Sequence, residues 1–166
     1  MLDKIGVYNL LENCNISFEM YEHQAVYTIE EMDCLNLPYG DKILKNLFLR
    51  DDKKKNYYLV SLKGNKNVDL KFLSQNIPSR KLSFANENEL KYYLSLEKGH
   101  VTPLGILNNT ERNVIMVFDT ELKDEIIGIH PMENTTTIFV EFNDIFKLIE
   151  DHNNKVVLCN IWQNKV

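Results

Sequence analysis

The chain has 166 residues, 44% hydrophobic and 26% charged, the balance of one globular domain long enough to bury a core without disulfide or metal staples. It carries 19 Lys and Arg against 24 Asp and Glu, a formal charge of −5. A general coat for duplex nucleic acid would be basic, so any contact with nucleic acid must be local, and a disordered tail, a collagen-like rod and a disulfide scaffold are all excluded.

Leu2, Ile5, Val7, Leu10 and Leu11 recur at helical spacing, with Asp3 near the start and Asn13 and Asn15 at the break, which predicts an amphipathic helix over 3–13. Ile16, Phe18 and Met20 alternate with Ser17, Glu19 and Tyr21, the pattern of a half-buried strand. Thr28-Ile29-Glu30-Glu31 has the Thr-x-x-Glu form of a capping box, so a short helix should begin there. Lys45–Arg50 and Tyr57–Leu62 are strand-like runs joined by the charged Asp51–Asn56, which predicts a hairpin whose Lys53–Lys55 tip is solvated. Helices are expected over 69–77 and 86–96, the second presenting Leu90, Tyr93 and Leu94 on one face.

Short strands follow at 114–117 and 125–129, then a β-branched strand at 135–140 that runs into a helix at about 143–151, capped by Asn143. Residues 156–161 close the chain as a last strand. No repeat, Pro/Gly-rich linker or low-complexity block divides it, so residues 1–166 read as a single domain. Strands and helices mix without strict βαβ alternation, which predicts an α+β fold on a mixed, largely antiparallel sheet.

Cys14, Cys34 and Cys159 are scattered and show no zinc spacing, and read as reduced, partly buried small hydrophobes. Met1–Gly6 carries charge early and lacks an apolar stretch, unlike a signal peptide, and no run of about 18 apolar residues exists to span a membrane. The expectation is a soluble cytoplasmic protein.

No Walker loop, GxSxG elbow, HExxH or CxxC pair is present, and the four histidines lack ligand spacing among themselves. No metal or cofactor is therefore expected. Three local features stand out. Lys45 opens the strand pattern Lys-Asn-Leu-Phe-Leu. Gly99-His100-Val101-Thr102-Pro103-Leu104-Gly105 sets two glycines and a proline between a helix and a strand, where glycine permits positive φ and close approach of a ligand to backbone N–H groups. Gly128-Ile129-His130-Pro131-Met132-Glu133-Asn134 places a histidine at a strand end, held extended by the following proline, with Asn134 as a turn former. A structural turn explains the last two about as well as a binding site does.

In this order, these features resemble the YbaK/ProX family of aminoacyl-tRNA deacylases, homologous to the editing domain inserted in bacterial prolyl-tRNA synthetases. The resemblance rests on Lys45-Asn46-Leu47, Gly99–Gly105 and Gly128–Pro131 with Asn134-Thr135, together with Glu22–Glu31, and runs from about residue 5 to the C-terminus. Gln24 departs from the proline such proteins often carry there. Lys45-Asn46 with His130 looks most like the branch that acts on alanyl-tRNA bearing the proline anticodon.

The resemblance implies a barrel-like mixed sheet flanked by helices and hydrolysis of the ester between an amino acid and the terminal adenosine of a mischarged tRNA. The implied partner is the tRNA 3′ acceptor end, with prolyl-tRNA synthetase as a second candidate and neither DNA nor membrane. It implies that Lys45 holds the terminal phosphate or the carbonyl, that Asn46 adds a hydrogen bond, and that Gly99 and neighbouring N–H groups face the oxyanion. His130 would border the pocket and orient the substrate. His100, Thr102, Gly105, Gly128 and Asn134 are carried as further substrate-binding candidates, and Met20, Leu47 and Ile129 as pocket walls from their place beside the motifs. A deacylase of cysteinyl or another small aminoacyl ester, and a non-catalytic tRNA-binding module, stay open as alternatives.

Overall fold

A computed structural model of the chain describes residues 1–162. The elements run α1 (Lys4–Asn13), β1 (Phe18–Glu22), α2 (Ile29–Asp33), β2 (Leu44–Asp51), β3 (Tyr57–Lys63), α3 (Leu70–Asn76), β4 (Leu82–Phe84), α4 (Glu87–Leu94), β5 (Val114–Asp119), β6 (Ile126–Ile129), β7 (Thr136–Glu141), α5 (Phe142–Asp151) and β8 (Val156–Cys159). A 3-10 turn, Pro103–Asn108, follows α4.

The fold is α+β, as expected, but the strands form two sheets rather than one. Three strands pair antiparallel in the order β1-β7-β6, and five in the order β4-β2-β3-β5-β8. In the larger sheet β3–β5 and β5–β8 are parallel, and the other two pairings are antiparallel. The sheets meet at one parallel bridge, Ile43 to Gly128. Glycine is required at that seam, because a Cβ on Gly128 would lie 2.7 Å from the Phe139 ring and 3.2 Å from the Ile43 Cα.

Burial follows the pleat. On β2, Leu44 and Phe48 face a core shared with α1, α4, α5, the 3-10 turn and the smaller sheet. Leu49 faces the opposite side, packed with Leu73 of α3 and Leu82 of β4. Val26, Met32, Ile43 and Phe139 form a third, small cluster beneath α2.

Local chemistry sets the helix starts. Asp3, Asp69 and Asn86 cap α1, α3 and α4 through side-chain oxygens, and Asn86 with Glu89 completes a capping box. At α2 the Thr28 hydroxyl accepts from Glu31 N–H, but the Glu31 carboxylate reaches Tyr27 N–H instead of the cap residue's own.

Several expectations need correction. Asn143 does not cap α5: the cap position is Glu141, without a side-chain bond, and Asn143 instead exchanges hydrogen bonds with Asp124. Strand β4 went unpredicted because three residues carry too little periodicity to read. Cys14 and Cys34 are exposed; only Cys159 is partly buried, and burial, with Asp119 nearby, pushes its thiol up to about 11. The hairpin matches its prediction, with the Asp51 carboxylate accepting from Lys55 N–H and the Asn56 amide and residues 52–56 exposed. Among the described residues no helix is long and apolar enough to cross a membrane, and no group of three or more His, Cys, Asp or Glu is placed to hold a metal.

Candidate active site

Lys45, Asn46, Gly99 and His130, which the sequence scatters over 86 positions, line one cavity of about 230 Å³. The start of β2 supplies the first two, the loop after α4 supplies Gly99, and His130 follows the last residue of β6. The rest of the wall is mostly apolar: Val26, Ile29 and Met32 from the α2 region with Tyr27 and Thr28 between them, Ile43 and Leu44 from β2 and its approach, and Val101.

Lys45, Asn46 and His130 are each held by one partner and keep a further donor or acceptor. The Lys45 ammonium donates to the carbonyl of Lys66 at 2.7 Å, leaving two of its three protons. That carbonyl is itself anchored, because the Lys66 side chain pairs with Glu121 and lies over the Trp162 ring, 4.7 Å from its centroid. Asn46 Oδ1 accepts from the buried Ser61 hydroxyl at 2.5 Å, which leaves its Nδ2 amide without an acceptor among the described residues.

Gly99 has φ of +84°, and a Cβ there would stand 2.6 Å from the Tyr27 ring. Any other residue would suffer left-handed strain and also push Tyr27 aside. Its N–H has no acceptor among the described residues.

His130 Nδ1 lies 3.0 Å from the Thr136 carbonyl. A carbonyl only accepts, so Nδ1 carries the proton and Nε2 is the acceptor. Burial pulls the imidazole below its usual 6.5 against the raising effect of that hydrogen bond, with His23 and His100 adding to the lowering. At neutral pH the ring is therefore uncharged. His23 stands 6.4 Å away between centroids and is tied to the Gln24 carbonyl and the Thr137 hydroxyl.

The remaining candidates fall elsewhere. Asn134 is 3% exposed and acts as a clamp: its Nδ2 donates to the Val26 carbonyl at 2.8 Å and its carbonyl accepts from Val26 N–H. That pair of hydrogen bonds fixes Val26 next to Tyr27, whose ring lies against Gly99. Leu47 lines an adjoining cavity. Thr102 is buried as the cap of the 3-10 turn, and Gly105 packs against Leu96 in the core. Gly128 is the seam glycine described above, and His100, half-buried, acts on His130 only through its field.

Met20 and Ile129 do not line the cavity. Met20 is 47% exposed on β1, opposite Ile138, and Ile129 is buried in the main core. Both expectations rest on closeness in sequence, whereas the pleat turns adjacent residues to opposite faces. The wall that sequence reasoning left without a role is the segment from Val26 to Met32. Its signal was the Glu22–Glu31 stretch of the resemblance and the Thr28 cap.

Residues 23–148 match the family described as the aminoacyl-tRNA editing domain. Over 152 residues the chain is 40% identical to the prolyl-tRNA editing protein ProX of Acetoanaerobium sticklandii, covering 91% of this chain and 93% of that one. It is 33% identical over 153 residues to prolyl-tRNA synthetase associated domain-containing protein 1 of Danio rerio, covering 90% and 83%. Among solved structures, a candidate trans-editing enzyme for prolyl tRNA synthetase shares the fold, with a TM-score of 0.73 at 16% identity over 97% of both chains. The chain belongs to the family of aminoacyl-tRNA editing domains.

Proposed function

We propose that the chain is a trans-editing hydrolase that removes alanine from mischarged tRNA(Pro). The observation that carries this reading is the convergence of the Lys45 ammonium, the Asn46 amide, the Gly99 N–H and neutral His130 on one apolar-walled cavity.

An aminoacyl ester is already activated, so its hydrolysis needs a placed water and donors for the oxyanion rather than a side-chain nucleophile. Water oxygen bonds to the carbonyl carbon, the carbonyl oxygen takes the negative charge, and the bond to the ribose oxygen then breaks as that oxygen gains a proton. Gly99 N–H faces the developing oxyanion; a donor of this kind is worth about 10²–10³ in rate. Lys45 places positive charge beside the ester or its phosphate, and Asn46 Nδ2 adds a directed hydrogen bond. His130 Nε2 accepts from the substrate's ammonium or hydroxyl and so fixes its orientation. The ribose hydroxyl next to the ester orients the water.

Selectivity is a matter of volume. A site built for proline cannot strongly reject the smaller alanine, since a methylene is worth only about 1–3 kcal/mol. A second pocket walled by Val26, Ile29 and Met32 takes a methyl group and turns away the ring.

The test is deacylation of alanyl-, cysteinyl- and prolyl-tRNA(Pro) by the wild-type chain and Lys45→Ala. Rapid, Lys45-dependent loss of alanine with proline spared is the expected result. Preferential loss of cysteine would reassign the substrate, and binding of tRNA without cleavage of any ester would leave a binding module.

A further inference from the structure

Against the aminoacyl cavity lies a second of about 430 Å³, and the two share Asn46, Gly99 and Val101. Its outer wall is Phe84, Ala85 and Leu47, with Lys98 and Glu87 at the rim. Phe84 ends β4, the edge strand of the larger sheet, and pairs with Leu49. Sheet edges are ordinarily blunted with charge, yet Phe84 is 60% exposed. Across the shared floor Tyr27 is 64% exposed, with its ring against Gly99. Two solvent-facing aromatic rings thus flank the junction of the two cavities, and the core does not need either for burial.

The geometry points to the second cavity as the seat of the RNA's terminal nucleoside, with Phe84 as the stacking platform for its base and Lys98 as the cation beside its phosphate. This rests on the deacylase reading of the adjoining site. An ester carbonyl at Gly99 has its ribose directly attached, so the base must lie within one nucleoside's length of that residue. The second cavity begins there, and its volume falls in the range of small-ligand sites. Stacking on an aromatic ring is the usual way single-stranded ends are held, and it tolerates any base. Lys98 is available for the phosphate, because its one ion pair among the described residues is a 3.9 Å contact with Glu87 between two largely exposed side chains.

The experiment uses an uncharged acceptor-stem minihelix with 2-aminopurine as its terminal base, alongside deacylation of alanyl-tRNA(Pro). Wild-type chain should change the 2-aminopurine fluorescence on binding, and Phe84→Ala should abolish the change. The same variant should lose about tenfold in kcat/KM, while Phe84→Tyr stays within threefold of wild type and both keep the wild-type melting temperature. If wild type cleaves the ester and Phe84→Ala matches it within twofold with an unaltered fluorescence change, the nucleoside sits elsewhere and the inference is overturned. If no variant cleaves any ester, the deacylase reading fails on its own. The fluorescence titration then still decides the seat: dependence on Phe84 upholds it, and independence overturns it.

Discussion

A groove of about 750 Å³ runs between the start of α1, the 3-10 turn and the end of α5, against about 230 Å³ for the aminoacyl cavity. In the larger groove His152, Asp151 and Asn108 are tied to partners within the chain. His152 Nδ1 donates to Asn154 Oδ1 at 2.6 Å, Asp151 pairs with Lys147, and Asn108 accepts from Leu2 N–H while donating to the Leu94 carbonyl. In the smaller cavity Lys45, Asn46, Gly99 and His130 each keep a donor or acceptor for something else. Volume therefore locates a gap in packing, whereas converging unsatisfied polar groups locate chemistry.

The widest test of that contrast sets Lys45→Ala against Thr110→Ala. Thr110 lines the larger groove and is exposed. Removing the Lys45 charge should lower kcat/KM for the aminoacyl ester about 100-fold or more, and Thr110→Ala should stay within twofold. Steady-state deacylation of both variants decides it. Comparable losses would mean that the larger groove takes part in the reaction, and a Lys45→Ala enzyme within twofold of wild type would remove the lysine from the mechanism.

A sharper contrast lies within one loop. Gly99 and Gly105 both forbid a Cβ, but for different reasons. At Gly105 the added carbon would stand 2.5 Å from Leu96 Cδ1, inside the core, and overpacking of that kind costs about 1–3 kcal/mol. At Gly99 the strain of a positive φ costs about 1–2 kcal/mol, and the carbon would displace the exposed Tyr27 ring from the cavity wall. Alanine at either position should therefore lower stability to a similar degree in denaturant titrations. Only Gly99→Ala should also lower kcat/KM, by more than tenfold, when assayed well below its melting temperature. Equal activity in the two variants would show that Gly99 shapes the loop and nothing more.

This pair of glycines also marks how far the sequence could be read. Both stood out as punctuation between a helix and a strand, and nothing in the string of residues distinguished a glycine facing a ligand from one packed under Leu96. Lys45, Asn46, Gly99 and His130 were legible through the ordered motifs of the resemblance. Asn134 was legible as a turn former but not as the clamp on Val26, because that bond joins residues 108 positions apart. Met20 and Ile129 misled because nearness along a strand alternates faces. The helices and the hairpin were readable from periodicity and caps, whereas β4 and the split into two sheets depend on which strands meet, a tertiary choice that local pattern does not encode.

The smallest effect concerns His130 and separates a functional ring from a structural one. Its imidazole is held neutral below the usual 6.5, mainly by burial. In the unfolded chain the same ring protonates near 6.5, so below that pH the unfolded state binds the extra proton first. This contribution to stability is complete above about pH 6.5 and is lost as pH falls toward the lowered folded value, with a slope of at most about 1.4 kcal/mol per pH unit. His130→Asn keeps an N–H donor for the Thr136 carbonyl but has no titrating group. Denaturant titrations from pH 5 to 8 should show the wild-type curve falling away from that of the variant only below about pH 6.5. The same substitution removes the Nε2 acceptor, so deacylation should fall at pH 7.5, above the range in which the two stability curves diverge. A variant that lost stability slope but kept full activity would confine His130 to the turn it begins.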